Sequence, residues 1–494
     1  ADGGTLYLIK EPEEGKPVLE FEIMRNSSLG LRLGGTSGNP IQFAPLPLYR
    51  EDGTANHNNI ATHTALTREM ENIEDAYFAK HLDFSGTKAF DERTGYRSKS
   101  FLTVPLCNHA DEIIGVLQLV NAKDPATGET ISFSKALEPI VIALASSAAI
   151  ALDNQILLQD HKDLLDAFIK VIAQAIDAKS QHTSAHCQRV PVLTELIAQA
   201  ACETEDGPLS TFDLDEGEWY ELRVASWMHD CGKLATPDSV LDKATKLHLM
   251  QDGIETVKTR FAAAMAQVEL QFLRQTQAQP AQLNALQDVL AAELAALKDD
   301  CLFIEKANVG GEFMKPEDQA HVRRIAGRKW IDHLGMERPM LSEEEVKFLC
   351  IERGTLSFDE RQKINDHMKV TVQMLESLPF PKNLKRVPEY AGGHHEKMDG
   401  TGFPRGLKRE EMSWPARMMA IADVFEALTA SDRPYKQPMK ISQALGILQN
   451  MKRQNHIDPD LFDLFVMSRV WEKYARIYLR PEQLDITDAA TYLQ

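Results

Sequence analysis

Cysteine and net positive charge are what this 494-residue chain most lacks. Its six cysteines are scattered and form no Cys-x-x-Cys pair, which argues against a disulfide scaffold and favours a reduced, cytoplasmic compartment. The formal net charge of −19 argues against a nucleic-acid polymer or an anionic membrane surface as partner. It does not exclude a small anionic ligand, because bound metal ions supply their own positive charge.

Long apolar runs and targeting signals are also missing. The longest run, 140–152, is interrupted by Ser146 and Ser147 and is too short to span a bilayer, so the sequence predicts no membrane segment. No signal peptide is recognisable. The chain opens without Met in a strand-like pattern, and we expect natural sequence upstream of residue 1.

Residues 1–133 predict an α/β domain, and residues 134–180 predict a connecting helix. The first region offers strand candidates at 6–9, 19–23, 101–106 and 113–120, the last two joined as a hairpin. The second has apolar residues near heptad spacing. It either consists of two or three core helices broken around Asn154-Gln155, or is one signalling helix that pairs with its copy in a parallel dimer.

The remainder, 181–494, is almost entirely helical in pattern, with an unusual block at 247–340. Two stretches rich in Ala, Gln and Leu, 261–273 and 283–297, flank Gln279-Pro280 and predict an antiparallel helical hairpin. The block holds few groups suited to chemistry. We therefore interpret it as a structural or dimer-contact insertion rather than a substrate lid.

Several histidines and aspartates of the helical region lie in tight local groups. Their polar heads are poor core material, and Asp423 even interrupts an apolar helix, where an unpaired carboxylate is costly. Each alone is more often a surface residue or a satisfied core residue. Together they indicate a polynuclear metal site built from distant segments. The residues are His182, His186, His229, Asp230, His367, His394, His395 and Asp423.

The His-Asp pair at 229–230, the loop His-His-Glu-x-x-Asp-Gly-x-Gly-Phe-Pro at 394–404 and the later Asp423 resemble the HD-GYP family. This family is a branch of the HD metal-dependent phosphohydrolases, and the resemblance covers 160–494 apart from the insertion. It implies an all-α domain with two or three transition-metal ions, most often iron or manganese. It also implies hydrolysis of cyclic di-GMP to pGpG and onward to GMP.

The resemblance further implies a role for each residue. One metal would be bound by His186, His229, Asp230 and Asp423. Asp230 would bridge to a second metal, which would be held by His367, His394 and His395. Lys233 would stabilise the phosphate oxygen on which charge builds, so that Asp230 and Lys233 are the catalytic residues. The substrate phosphates would be held by Lys233, Arg433 and Lys436.

Three positions depart from the family pattern. Phe403 replaces the motif's Tyr, which removes a hydroxyl and keeps the ring. Glu426 stands where Asp is common and offers a longer carboxylate behind the ligands. His182 falls where the family carries Tyr or, in three-metal members, Glu, so it either binds a third metal or caps its helix. No expected ligand is missing, which argues against an inert relic of the fold.

The amino-terminal region resembles a GAF domain through residues 88–97, 101–106 and 112–121. It is most similar to the GAF domains of cyclic-nucleotide phosphodiesterases, although Thr87 precedes Lys88 where Asn is expected and the first GAF helix is absent. The resemblance implies a sensor and a homodimer. Three roles stay open: binding a cyclic nucleotide, binding another small molecule, or dimerisation alone.

These expectations combine into a GAF-regulated, metal-dependent phosphodiesterase that hydrolyses cyclic di-GMP. A first alternative is hydrolysis of another cyclic dinucleotide such as cyclic GMP-AMP, because the motifs address metal and phosphate rather than the base. A second is a signalling protein that binds a cyclic dinucleotide with little turnover. The intact ligand set argues against that second alternative.

Overall fold

The computed structural model describes residues 1–12, 15–79, 82–179, 185–241, 243–248, 252–278, 283–311, 313–430 and 438–493. The chain divides into two compact units, Ala1–Leu165 and Asp166–Gln494. The first combines a sheet with helices, and the second is almost entirely helical. Both fold classes agree with the prediction from sequence.

A seven-stranded antiparallel sheet forms the first unit, in the order β3-β2-β1-β7-β6-β5, with β4 paired to β2. The predicted hairpin is present as β6 and β7. The strands are β1 Gly3–Lys10, β2 Val18–Asn26, β3 Leu31–Gly34, β4 Leu46–Pro47, β5 Glu71–Ile73, β6 Phe101–Cys107 and β7 Ile113–Val120, with a separate ribbon of β8 Ala122–Lys123 and β9 Thr130–Ile131. The helices are α1 Ile60–Thr67, α2 Ser85–Thr94 and α3 Glu138–Lys179.

Both faces of this sheet are covered, because alternate side chains of each strand point to opposite sides. On one face Val104 packs in a core with Ala145 and Ala149 of α3. On the other face Leu19 packs with Ala61 of α1. The sheet is therefore the middle layer of the unit.

Helix α3 is continuous, so of the two alternatives left open by the sequence the one with a break at Asn154-Gln155 does not hold. Ala145 and Ala149 face the sheet, while Leu144 and Ile150 are exposed. By length and composition alone, the helical segment Lys135–Lys179 is apolar enough to cross a membrane. The sequence reading missed this property because it considered only the uninterrupted run 140–152.

The second unit is built from fourteen complete α-helices, several short 3-10 helices and one small ribbon in the described part of the chain. The helices are α4 His186–Cys202, α5 Glu216–Met228, α6 Asp238–Leu241, α7 Ile254–Ala278, α8 Leu283–Val309, α9 Pro316–Ala326, α10 Glu343–Leu349, α11 Phe358–Asn365, α12 His367–Ser377, α13 Val387–Gly392, α14 Trp414–Thr429, α15 Ile441–Arg453, α16 Pro459–Met467 and α17 Val470–Tyr478. The ribbon pairs β10 Lys329–Ile331 with β11 Glu337–Pro339.

The main core of this unit lies between α4 and the last four helices. Fully buried members include Ile197 of α4, Phe425 of α14, Phe465 of α16 and Trp471 of α17. Burying each such side chain contributes about 1.5–3 kcal/mol relative to exposure. This core fixes α4 against α14, the two helices that carry His186 and Asp423.

The block at 247–340 packs around a core of its own. Helices α7 and α8 pack against each other, and Val257, Phe261 and Ile304 are fully buried with Val322 of α9. At its base, the Nζ atom of Lys243 lies 2.7 Å from Oε1 of Glu360 in α11. The insertion is thus fastened to the helix that directly precedes α12 and His367.

Candidate metal centre

Seven of the predicted site residues converge although they come from distant parts of the second unit. Ligand atoms of His367, His394 and His395 lie within 4.8 Å of one another, as do those of two further groups. These groups are His186 with His229 and Asp423, and His229 with Asp230 and His394. His182, Arg433 and Lys436 lie outside the described residues.

Helix ends position most of these side chains. His186 begins α4, His367 begins α12, and His229 and Asp230 directly follow α5. His394 and His395 follow α13, and Asp423 lies inside α14. Ends suit the role because a polar side chain there leaves the apolar face of its helix free for the core.

A glycine lets two of these segments come close. Residues Cys231–Ala235 form a 3-10 helix that packs on α12, and the N–H of Gly232 donates to Oγ1 of Thr371 at 2.9 Å. A Cβ atom on Gly232 would lie 2.0 Å from the carbonyl oxygen of His367. Any larger residue would therefore push Asp230 away from His367.

Backbone carbonyl groups fix the tautomer of three histidines. Nδ1 of His229 lies 2.7 Å from the carbonyl oxygen of Ser226, and Nδ1 of His394 lies 2.7 Å from that of Ala391. Nδ1 of His367 makes the same contact with an oxygen three residues before it, at 2.5 Å. A carbonyl oxygen only accepts, so each Nδ1 carries the proton and each Nε2 presents a lone pair.

A carboxylate does the same for His186. Its Nδ1 atom contacts Oε2 of the fully buried Glu426, whose other oxygen accepts from Nε of Arg189 at 2.6 Å. Such a carboxylate behind a histidine orients the ring and makes its free nitrogen more basic. The sequence marked Glu426 as a departure from the family pattern; it gave no signal for Arg189.

The Nε2 atoms of these histidines face carboxylate oxygens. Hydrogen-bond acceptors therefore lie against other acceptors. Nε2 of His186 lies 3.4 Å from Oδ2 of Asp230 and 3.2 Å from Oδ1 of Asp423. Nε2 of His229 and of His367 lie 3.2 Å from opposite oxygens of Asp230. Four of these buried nitrogens, on His186, His229, His367 and His394, make no hydrogen bond. The donor set fits cations placed between these atoms.

The electrostatics of Asp230, His394 and His395 agree with this fit. For His186, burial would lower the pKa, but the carboxylates of Glu426, Asp230 and Asp423 outweigh it and raise that pKa well above its usual value. Burial alone would raise the pKa of Asp230, but Lys233 and the surrounding histidines outweigh it and hold that pKa well below its usual value. Burial and the neighbouring His395 keep the pKa of His394 well below the ordinary range, and burial lowers the pKa of His395 to about 4. Neutral imidazoles and an ionised carboxylate are the forms that bind metal.

Lys233 reaches the same place. Its Nζ atom lies 2.5 Å from Oδ2 of Asp230. Burial would lower the pKa of this ammonium group, but Asp230 and Asp423 raise it above its usual value. A permanent positive charge therefore lies at the edge of the centre.

Glu396 and Phe403 organise the loop that carries His394 and His395. The buried Glu396 carboxylate accepts the backbone N–H groups of Arg405, Gly406 and Leu407 at 2.6, 3.1 and 3.0 Å. The Phe403 ring stacks on His395 with centroids 4.9 Å apart and planes at 19°. This ring contact does not need the hydroxyl that the family's Tyr would add. The sequence did not predict the contact.

Comparisons with known proteins support two domains. The GAF domain family matches residues 2–152, and the HD domain family matches residues 344–461. The second match contains His367, His394, His395 and Asp423 but begins after His229 and Asp230. The block at 247–340 lies between the two parts of the centre.

The chain is similar to curated cyclic-dinucleotide phosphodiesterases. It is 37% identical over 145 residues to 3′3′-cGAMP-specific phosphodiesterase 3 of Vibrio cholerae, covering 29% of this chain and 28% of that protein. It is 47% identical over 74 residues to a cyclic di-GMP phosphodiesterase of Pseudomonas aeruginosa, covering 15% and 17%. A cyclic di-GMP phosphodiesterase of Thermotoga maritima is 26% identical over 215 residues, covering 40% and 56%.

The first of these matches spans about a quarter of the relative's own length. The family matches and the sequence motifs identify the same two domains in this chain. It combines a GAF domain with an HD domain, as its sequence predicts.

Proposed function

We propose that the second unit is a metal-dependent phosphodiesterase that hydrolyses cyclic di-GMP to pGpG and then to GMP. The observation that carries this proposal is the set of buried imidazole nitrogens without hydrogen bonds, facing the carboxylates of Asp230 and Asp423. Binding of metal ions turns this repulsive arrangement into a favourable one. The names of the similar proteins supply the substrate class.

The contacts support a division of the ligands between two metals. The two oxygens of Asp230 face different rings, Oδ2 towards His186 and His229 and Oδ1 towards His367. We therefore assign His186, His229, Asp230 and Asp423 to one metal, and His367, His394 and His395 to a second, with Asp230 as the bridge. Five imidazoles and two carboxylates suit a borderline metal, and we propose iron or manganese.

The bound metals would lower the pKa of water and polarise the phosphodiester. The protein's own part is to hold the phosphate in line and stabilise the charge that develops on its oxygens. Lys233 is the described residue suited to that work, because its ammonium group lies beside the ligands and stays protonated. We also assign Arg433 and Lys436 to the substrate phosphates, and we propose His182 as the candidate ligand of a third metal.

Cyclic GMP-AMP is the second candidate substrate. The similar proteins are named for both cyclic di-GMP and 3′3′-cGAMP, and the roles proposed for the residues of the centre concern metal and phosphate rather than the base. A third hypothesis, binding with little turnover, is disfavoured because the described ligand candidates include no gap in the set that hydrolysis would need and lie in groups within 4.8 Å. We propose that a ligand of the GAF domain regulates turnover in a homodimer.

The decisive experiment is turnover by the purified chain loaded anaerobically with Fe²⁺ or Mn²⁺. Cyclic di-GMP and 3′3′-cGAMP are incubated side by side, and linear products are separated by chromatography. We expect pGpG and GMP from cyclic di-GMP, with faster turnover than for 3′3′-cGAMP. Metal-loaded protein that cleaves neither compound contradicts the proposal, and preference for 3′3′-cGAMP replaces the substrate.

A further inference from the structure

A polar cavity of about 750 Å³ lies at the β3 edge of the sheet in the first unit. Its walls come from the end of β2, from β3 and from the loops that follow each of them. None of its lining residues is acidic. The polar and charged groups that line it include Arg25, Ser27, Arg32, Thr36, Ser37 and Asn39.

Two arginines stand directly opposite each other in this cavity. In the pairing of β2 with β3, Arg25 is the partner of Arg32. Directly opposite residues of an antiparallel pair project from the same face with Cβ atoms about 4.5–5.5 Å apart, and like charges there are destabilising. The register therefore puts two guanidinium groups together at a cost.

The described part of the chain supplies no ion-pair partner that would offset that cost. Within the described ranges, neither Arg25 nor Arg32 has a carboxylate at salt-bridge distance. The Nη1 atom of Arg25 is also shielded from solvent and has no hydrogen-bond partner. A buried cationic donor without a partner is expensive, and a group that persists in this state points to a ligand.

Two glycines shape the backbone around the arginine pair. Across the sheet, Arg25 is paired with Gly4, whose other neighbour is Leu119 in the core beneath α3. Gly4 has no side chain, and Leu119 closes in beside it, with its Cδ2 atom 3.3 Å from where a Cβ atom on Gly4 would lie. Strand β3 ends at Gly34, whose φ of 68° and close approach to the Glu22 carbonyl exclude any side chain.

We propose that this cavity binds a phosphorylated small molecule, with its phosphate held between Arg25 and Arg32. Guanidinium forks match phosphate oxygens in pairs, and the hydroxyls of Ser27 and Thr36 add further donors at the wall. The volume exceeds what a phosphate needs and falls in the range of small-molecule sites. The ligand is therefore a phosphate monoester with a polar body of about nucleoside size. This site lies in the first unit and is independent of the metal centre.

The test is calorimetric titration of the full chain after dialysis against a chelator, so that the metal centre holds no ions. The probes are inorganic phosphate, 5′-GMP and guanosine, which lacks the phosphate. We expect phosphate and 5′-GMP to bind and guanosine not to bind. R25Q and R32Q should each weaken 5′-GMP binding at least about tenfold, equal to about 1.4 kcal/mol.

Two further variants separate charge from geometry. R25K keeps the charge but loses the fork, so its affinity should lie between wild type and R25Q. R50Q removes an exposed arginine whose Nη2 contacts Asn58 outside the cavity, and it should bind like wild type. Arg32 is itself exposed, so R32Q tests the site even where R25Q disturbs folding.

Three results would overturn the proposal. Guanosine binding as well as 5′-GMP would show that phosphate is not recognised. Undiminished 5′-GMP binding by R32Q would place the site elsewhere. Failure of wild-type protein to bind either 5′-GMP or phosphate at millimolar concentration would show that the arginine pair is not an anion site.

Discussion

The metal centre and the arginine cavity are the same electrostatic situation with opposite sign. In the second unit, lone pairs of imidazoles face carboxylates, and the group is stabilised by cations. In the first unit, Arg25 and Arg32 are opposite each other across a pair of strands, and an anion would stabilise the pair. In both regions the described part of the fold leaves buried polar groups without a hydrogen-bond partner. These groups thus indicate the sign of the charge of the ligand.

The two regions differ in how firmly they are held. His186, His229, His367 and His394 are all buried, and they come from elements packed around fully buried side chains. Arg32 is exposed, and the lining of its cavity comes from one short segment, 25–39. We infer that the metal centre holds a permanent cofactor, whereas the arginine cavity exchanges its ligand with solvent.

The largest effect should follow from removing the bridging charge. Asp230→Asn keeps the size of the side chain but gives His367 or His229 a neutral or donating neighbour in place of an anionic oxygen. Losing several kcal/mol of charge stabilisation should reduce turnover by at least about 10³-fold. Metal content, measured by inductively coupled plasma mass spectrometry, should fall in parallel.

Asp399→Asn is the matched control. Among the described residues its carboxylate accepts from the N–H and hydroxyl of Thr401 within the loop, so activity should change little. Full metal content and near-normal turnover in Asp230→Asn would show that the centre is assembled differently.

Lys233→Met should separate charge stabilisation from metal binding. Methionine keeps most of the side-chain length and removes the ammonium group beside Asp230. We expect kcat to fall about 10²–10³-fold, as for loss of one preorganised donor, with metal content unchanged. Lys473→Met, at an exposed position of α17, serves as control. Loss of metal in Lys233→Met would instead show that the lysine assembles the centre.

Glu426→Gln tests the carboxylate behind His186. Glutamine can still accept from Nδ1 of His186, but it removes the charge that Arg189 balances. Metal affinity should fall about 10–100-fold, which is typical for such partners. Competition with a chelator measures it directly, with exposed Glu203→Gln as control. Unchanged affinity would mean that Glu426 serves packing alone.

The sequence predicted which buried histidines and aspartates lie close together better than it predicted other contacts. His229, Asp230, His394 and His395 could be assigned from local motifs, and Asp423 from its place inside an apolar helix. The continuity of α3 stayed open because neither Asn154 nor Gln155 strongly breaks a helix. The local spacing of residues predicts which helix or strand a residue belongs to. It does not predict which residues of distant segments it contacts.

For that reason the sequence alone could not predict contacts between distant segments. The pairing of Arg25 with Arg32 depends on the register of β2 and β3, and a shift of the register by one residue would abolish the pairing. In the GAF motif, Asp91 accepts from the hydroxyl of Tyr77 and from Ser98, while Lys88 lies over the Tyr77 ring. The sequence gave these residue types without their partners.

The smallest effect should come from reversing one charge of the arginine pair. Arg32→Glu replaces a cross-strand repulsion by an attraction, so it should stabilise the β2–β3 pairing by about 0.2–1 kcal/mol without ligand. Hydrogen exchange of residues 18–34 in the full chain measures this locally. A matched reversal, Arg93→Glu in α2, should leave that exchange unchanged. Faster exchange in Arg32→Glu would mean that Arg32 already has a structural partner. The two regions would then no longer be counterparts, and the first unit would hold no anion at this edge.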